Sequence, residues 1–217
     1  ADIEDVYLVP AALHEEGSDE LVCEKPALGC QSADLGEWDA LAGRIRARVA
    51  ACLGLRVGTR AQIHPGARVR CGAGSALGAG SILYRDVQLL ASGPGSFRIG
   101  VRSHIAPGGY LLIGQQRLTI GDDVAIGPGL MLFCESNAVT ATGLFREHYQ
   151  RADIRIGSNV FLGARVTVLP GSVIEDGAVV AAHAVVRGHL PGGWVYGGVP
   201  ARPLHRVDGA RPPSSSS

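Results

Sequence analysis

From Ile120 onward an aliphatic residue returns at every sixth position: Ile120, Ile126 and Leu132, then Ile156, Leu162, Val168, Ile174, Val180 and Val186. All nine slots hold Ile, Leu or Val, and the step from Leu132 to Ile156 is itself a multiple of six. Gly or Ala often follows a slot (Gly121, Gly127, Gly157, Gly163, Ala181). The position four residues on is again small or apolar (Val124, Leu130, Val160, Val166, Ala178, Ala184). Upstream the beat returns as Val57, Ile63, Val69 and as Ile99, Ile105, Leu111, while Leu77, Leu83 and Leu89 stand two residues off the frame. A period of six fits neither the 3.6 residues of an amphipathic helix nor the alternation of a simple strand. It fits an all-β solenoid of short strands and tight bends, with the aliphatic slot pointing inward and the small neighbour letting the chain turn. Three units close a triangular coil of about 18 residues, and stacked coils bury a column that no coil could bury alone.

The composition agrees with a thin, turn-rich scaffold. Glycine supplies 31 of 217 residues while aromatic residues make up 5%, and that glycine share is about twice the usual one. With 46% hydrophobic residues and 18% charged ones, the chain is too apolar to be disordered throughout. Twenty basic side chains balance twenty acidic ones, so no net field favours nucleic acid or an acidic membrane. No apolar run approaches the ~18 residues of a membrane span. The cysteines (Cys23, Cys30, Cys52, Cys71, Cys134) are odd in number and form no CxxC pair. That argues against a disulfide framework or structural zinc and fits a reducing compartment. The opening Ala-Asp-Ile-Glu-Asp is acidic where a signal peptide would be basic, so a cytoplasmic location is expected.

Trp38, Leu41, Ala42, Ile45, Val49, Cys52 and Leu53 recur at three- and four-residue steps. They predict one amphipathic helix over about 37–54, with Arg44, Arg46 and Arg48 toward solvent. The helix is expected to pack on the first coil as a cap, because an open solenoid end exposes apolar slots and strand edges. Residues 1–56 are thus read as an N-terminal region with a capping helix, 57–206 as the solenoid, and 207–217 as a disordered tail; residues 1–36 receive no assignment. Residues 133–153 interrupt the beat as one long loop, and an excursion of that length is commonly functional.

The runs IGDDVAIGPGLMLF, IRIGSNVFLGARVTVLPGSVIEDGAVVAAHAVV and YGGVPARPL resemble the hexapeptide-repeat acyltransferases, nearest to the sugar and xenobiotic O-acetyltransferases. The resemblance covers about 57–206 and is specific from 119 onward. It implies a left-handed parallel β-helix, a homotrimer, and acetyl-CoA lying between adjacent prisms. Ala164 and Ala182 fall where the family lines its pantetheine tunnel with small residues. Arg187 falls near the slots that meet the nucleotide end, and Arg202, in GVPAR, matches a basic residue there. Guanidinium geometry suits phosphate.

In the family the loop completes the active site and carries a histidine that deprotonates the acceptor hydroxyl. An alcohol attacks a thioester poorly until a base removes its proton, and imidazole titrates near neutrality. Ten residues beyond Gly127 that slot holds Asn137, which can position a hydroxyl or donate a hydrogen bond but cannot take its proton. Three accounts follow. Another group is the base: His148 in the same loop is favoured, with Glu135 and His104 as alternatives. Or the acceptor is an amine, or another acyl donor serves. Or the protein is an inert trimeric binding scaffold. The leading reading is O-acetyl transfer from acetyl-CoA to a sugar or natural-product hydroxyl, directly within a ternary complex, with Asn137 orienting the acceptor.

No metal is expected, because no two histidines stand 18 residues apart and His183 and His189, six apart, fall on different faces. Cys134 is read as packing rather than as a nucleophile. Trp194 and Tyr196 are read as covering the last coil. The GxG runs at 72–74 and 78–80 lack the strand-then-helix context of a phosphate loop.

Overall fold

The computed structural model describes residues 35–52, 54–139 and 143–208. One helix, α1 (Leu35–Cys52), precedes short strands that wind into a three-faced solenoid. Face A stacks Arg56–Val57, Ala76–Leu77, Ser96–Ile99, Arg117–Ile120, Ile154–Ile156, Val173–Ile174 and His189–Leu190. Face B stacks Gln62–Ile63, Ile82–Leu83, His104–Ile105, Ala125–Ile126, Phe161–Leu162, Val179–Val180 and Trp194–Gly197, and Arg202–Arg206 folds back antiparallel on the last of these. Face C stacks Arg68–Arg70, Gln88–Ala91, Tyr110–Gly114, Met131–Phe133, Thr167–Val168 and Val185–Val186. Every pairing between coils is parallel, and the architecture is that of the left-handed β-helix, an exception to the usual right-handed crossover.

The sixfold slots fill the prism. The nine from Ile120 to Val186 are each at most 1% exposed, and so are Leu77, Leu83, Leu89, Ile99, Ile105 and Leu111. Burying each such side chain contributes roughly 1.5–3 kcal/mol. The register aligns slot on slot, Ile126 with Leu162 and Leu162 with Val180. The slot-plus-four residues Val124, Leu130, Val160, Val166, Ala178 and Ala184 are also buried and fill the corners. In other corners Ser75, Ser81, Ser103 and Ser172 take that place. Their hydroxyls are satisfied by the backbone: Ser103 Oγ donates to the Gly121 carbonyl at 2.7 Å, and Ser172 Oγ to that of Leu169 at 2.7 Å. A buried hydroxyl is tolerated because turn carbonyls stack beside it.

The coils also explain the slipped frame. From face A to B and from B to C the slots keep steps of six in every coil, as in Leu77, Leu83, Leu89. All irregularity sits at the corner from face C to face A. There Val69 to Leu77, Leu89 to Ile99 and Leu111 to Ile120 take eight, ten and nine residues. The long loop leaves the prism at this same corner.

The helix packs on the first coil by a face other than the expected one. Gly43 and Ala47 are buried there, and a Cβ on Gly43 would stand 3.3 Å from that of Gln62. Arg46, expected in solvent, is half-buried and donates to the Ile63 carbonyl at 3.4 Å. Small residues let the helix axis approach the coil closely, so they win this contact over the larger Leu41, Ile45 and Val49, which stay exposed. The side chains of Trp38 and Leu53, residues 1–34 and the tail beyond 208 lie outside the described residues.

Candidate functional site

Face C has two edges, and the candidate residues divide between them. The edge shared with face B is a column of tight turns. Gly127, Gly163 and Ala181 each follow a face-B slot, and Pro128, Ala164 and Ala182 come next. A Cβ on Gly163 would lie 2.5 Å from the Ala182 nitrogen, and one on Gly127 2.8 Å from that of Ala164. Only glycine allows the coils to close here. The His183 N–H donates to the Ala164 carbonyl at 2.9 Å. Ala164 and Ala182 therefore occupy equivalent places on successive coils; Ala164 is half-buried and Ala182 exposed. They form a smooth strip with no large side chain of their own.

At the far end of the solenoid, Ala201 N–H donates to the Val185 carbonyl at 2.8 Å and Val185 N–H to that of Gly198 at 3.0 Å. These bonds tie the segment carrying Arg202 to the last complete coil, two residues before Arg187. Both guanidiniums are exposed. The two arginines are thus held at the end of the solenoid toward which the alanine strip runs.

The opposite edge carries the loop. Glu135–Asn137 and Tyr149–Arg151 pair antiparallel, with Glu135 opposite Arg151 and Asn137 opposite Tyr149. A short 3-10 turn, Phe145–Glu147, lies between them and is closed by His148. Because strand side chains alternate, Glu135, Asn137, Tyr149 and Arg151 share one side of the hairpin. Glu135 accepts from Arg151 Nε at 3.3 Å, and the Arg151 guanidinium stands 4.7 Å from the centre of the Tyr149 ring. Asn137 Nδ2 donates to the Phe145 carbonyl at 2.9 Å, so this amide holds the loop's own turn.

His148 is directed otherwise. It precedes Tyr149 with extended backbone angles, and its carbonyl accepts from Ala138 N–H at 2.9 Å. Its ring lies against Gly143, where a Cβ would meet Nε2 at 2.7 Å. The alternation puts His148 on the other side of the hairpin from Asn137 and Glu135. The loop brings the three into one hairpin without making them one constellation.

Cys134, at the root of the loop, is fully buried. Burial, with Asp153 adding to it, pushes its thiol up to about 12. A thiol held protonated is a poor nucleophile, in agreement with packing as its role. Tyr196 is buried with its hydroxyl donating to the Pro191 carbonyl at 2.8 Å, and Trp194 packs beside it under the Arg206 guanidinium.

One grouping escaped the sequence reading. On face B the Tyr84 ring lies 5.1 Å from that of His64 and 6.0 Å, edge-on, from that of His104. Burial lowers the His104 pKa, which keeps its imidazole neutral near pH 7. The twenty-residue step from His64 to Tyr84 matches the first coil, which an 18-residue repeat does not anticipate. His104 stands in register with Ile82 and meets the Tyr84 ring from two positions off that register. Among the described residues no group of three His, Cys, Asp or Glu side chains could hold a metal.

Residues 153–188 match the model of the bacterial transferase hexapeptide, six repeats. Over these residues the chain carries hexapeptide repeats. The chain is 55% identical over 53 residues to WbbJ of Escherichia coli K12, named as a lipopolysaccharide biosynthesis O-acetyl transferase; the match covers 24% of this chain and 27% of WbbJ. It is 29% identical over 120 residues to the galactoside O-acetyltransferase of the same organism, covering 53% and 59%. The matches therefore span less than two thirds of either relative's length. In fold, the chain is similar to AntD, an N-acyltransferase from Bacillus cereus solved with dTDP and 3-hydroxybutyryl-CoA (TM-score 0.64, 21% identity, covering 76% of this chain and 88% of that one). It is also similar to the acetyltransferase VCA0836 of Vibrio cholerae solved with acetyl-CoA (TM-score 0.50, 22% identity, covering 82% and 91%).

Proposed function

We propose that this chain is an acyl-CoA-dependent acyltransferase that moves an acetyl group from acetyl-CoA to a hydroxyl of a sugar or similar small polar acceptor. The observation that carries the reading is the strip of Ala164 and Ala182, flanked by close-packed glycine turns and running toward Arg187 and Arg202. Such a strip accepts a long, thin, amide-bearing chain and exposes backbone groups to it, with guanidiniums at one end for phosphates. The named activities of the E. coli relatives, and the acyl-CoA held by AntD and VCA0836, support the same reading.

The strip and the hairpin lie on opposite edges of face C, which supports a site shared between copies. The outer surfaces suggest how. Outward positions on face A include Arg56, Arg98, Thr119 and Arg155 beside Ala76 and Val173, whereas faces B and C present Ile82, Phe161, Val179, Tyr110, Met131 and Val185 beside Gln62, His104, Arg68, Gln88 and Thr167. Apolar outer faces flanking one edge favour association. We therefore propose a homotrimer in which the hairpin of one copy reaches the strip of its neighbour. There His148 takes the acceptor's proton as the oxygen attacks the thioester carbonyl carbon. The C–S bond then breaks, and the departing sulfur regains a proton from the imidazolium. Backbone N–H groups of the strip hold the developing oxyanion, and the site gains most of its rate from placing acceptor against thioester.

A second reading is favoured by Asn137, whose amide is tied to the Phe145 carbonyl. An amine acceptor needs less help from a base, so N-acylation fits a loop without the family's histidine. One assay separates these readings. Thiol release from acetyl-CoA is followed with hydroxyl and amine sugars, for the native chain and for His148→Ala and His104→Ala. Turnover of hydroxyl sugars that falls at least a hundredfold in His148→Ala supports the first reading. Turnover of amines alone, insensitive to His148, supports the second, and a loss confined to His104→Ala moves the base to face B. No coenzyme A binding at millimolar concentration and no thiol release with any acceptor would leave only the inert scaffold.

A further inference from the structure

The overall charge balance conceals a strong separation. Residues 1–34 hold nine carboxylates (Asp2, Glu4, Asp5, Glu15, Glu16, Asp19, Glu20, Glu24, Asp34) against the single Lys25. Residues 40–70 hold seven arginines and no carboxylate at all. These two stretches are neighbours in sequence and nearly cancel each other.

The basic stretch also contains an open apolar cleft. Because α1 packs by Gly43 and Ala47, it turns Leu41, Ile45 and Val49 outward, 42%, 56% and 56% exposed and spaced as one helical stripe. Between that stripe and the first coil lies a cleft of about 610 Å³, walled by Leu41 and Ile45 on one side and Val57 and Ala61 on the other, with Arg44 and Arg60 among the residues around it. The site asks for an occupant with a short apolar run and many carboxylates. Residues 6–13, Val-Tyr-Leu-Val-Pro-Ala-Ala-Leu, supply the run, and acidic residues stand on both sides of it.

The reach is ample. The helix is about 27 Å long at ~1.5 Å per residue. The twenty or so residues between the apolar run and Leu35 could extend to roughly 65 Å at ~3.3 Å per residue. A tethered segment also meets its site at millimolar effective concentration, so a modest contact suffices.

We propose that residues 6–13 dock in the cleft between α1 and the first coil, held by apolar contact with Leu41 and Ile45 and by the arginine-rich surroundings. This inference does not depend on the acyltransferase reading. The docked segment would complete the cap that α1 begins and would cover the apolar stripe that α1 leaves open.

Hydrogen exchange on the full chain tests it. In the native chain residues 6–13 exchange at least tenfold more slowly than in the isolated peptide 1–34, and 1 M NaCl reduces that protection. Ile45→Asp, at an exposed position, returns residues 6–13 to the free-peptide rate. Leu8→Asp, outside the solenoid, speeds exchange in 41–51, and these rates do not change over a hundredfold range of protein concentration. Free-peptide exchange of residues 6–13 in the native chain overturns the proposal. So does protection of α1 that is indifferent to Leu8→Asp, and so does protection that rises with concentration, which would give the stripe to a second copy.

Discussion

The two edges of face C follow opposite rules. Along the edge shared with face B every coil turns in the same number of residues, and glycines let backbone stack on backbone. Along the edge shared with face A the turns differ from coil to coil, and one of them grows into the hairpin of Glu135, Asn137 and His148. An edge without slack gives a uniform surface that an extended ligand can follow. An edge with slack can accept insertions while the aliphatic column inside stays in register. In the proposed trimer, chemistry falls where the loose edge of one prism meets the tight edge of another.

The most severe way to break this comparison is to remove the loose edge. Replacing residues 135–151 with a short turn like the Leu-Pro-Gly-Ser at 169–172 should abolish thiol release, at least a thousandfold or about 4 kcal/mol. The melting temperature should move by only a few degrees; a collapse of the fold would show that the hairpin supports the prism after all. Next comes the column behind the tight edge. Leu162→Ala, at a fully buried slot, should cost about 2–5 kcal/mol in denaturant unfolding. Gly163→Ala should cost about 1–3 kcal/mol by forcing coils apart, whereas Gly143→Ala, beside His148 in the hairpin, should alter turnover more than stability.

Mixing two disabled chains sharpens the comparison further. Ala182→Trp should weaken coenzyme A binding about tenfold, or ~1.4 kcal/mol, and His148→Ala should slow transfer. If the edges of different copies cooperate, co-refolded mixtures regain part of the activity that neither has alone. The smallest effect concerns Cys134. Its buried thiol stays protonated up to about 12 against an ordinary 9.0, so the folded chain binds the proton more tightly than the unfolded one. Its share of stability is complete below pH 9 and declines as pH rises from 9 toward 12. At pH 8 a thiol reagent should label the exposed Cys52 and leave Cys134 untouched until the chain unfolds, as read by peptide mass mapping.

Much of this molecule was legible in advance. The positions of Ile126, Leu162 and Val180 alone predicted that they would lie one above another. The hairpin was anticipated only as an interruption, and its residues were grouped because they are close in sequence. The structure separates His148 from Asn137 and Glu135, since neighbours along a strand point to opposite sides. The helix was found where its periodicity put it, yet the contact face was wrong, because hydrophobic spacing does not weigh how closely Gly43 and Ala47 let a helix approach. The contact of Tyr84 with His64 needed the true length of the first coil, and its contact with His104 needed the side-chain directions, because His104 is in register with Ile82.

The sequence by itself determined the solenoid, because a six-residue beat fixes which side chains face inward whatever lies outside. Only the tertiary structure decided which residues share an edge. That depends on how each corner takes up its residues: the slipped frame shows in the sequence that a corner is longer, but not how the extra residues fold or which side chains they bring together.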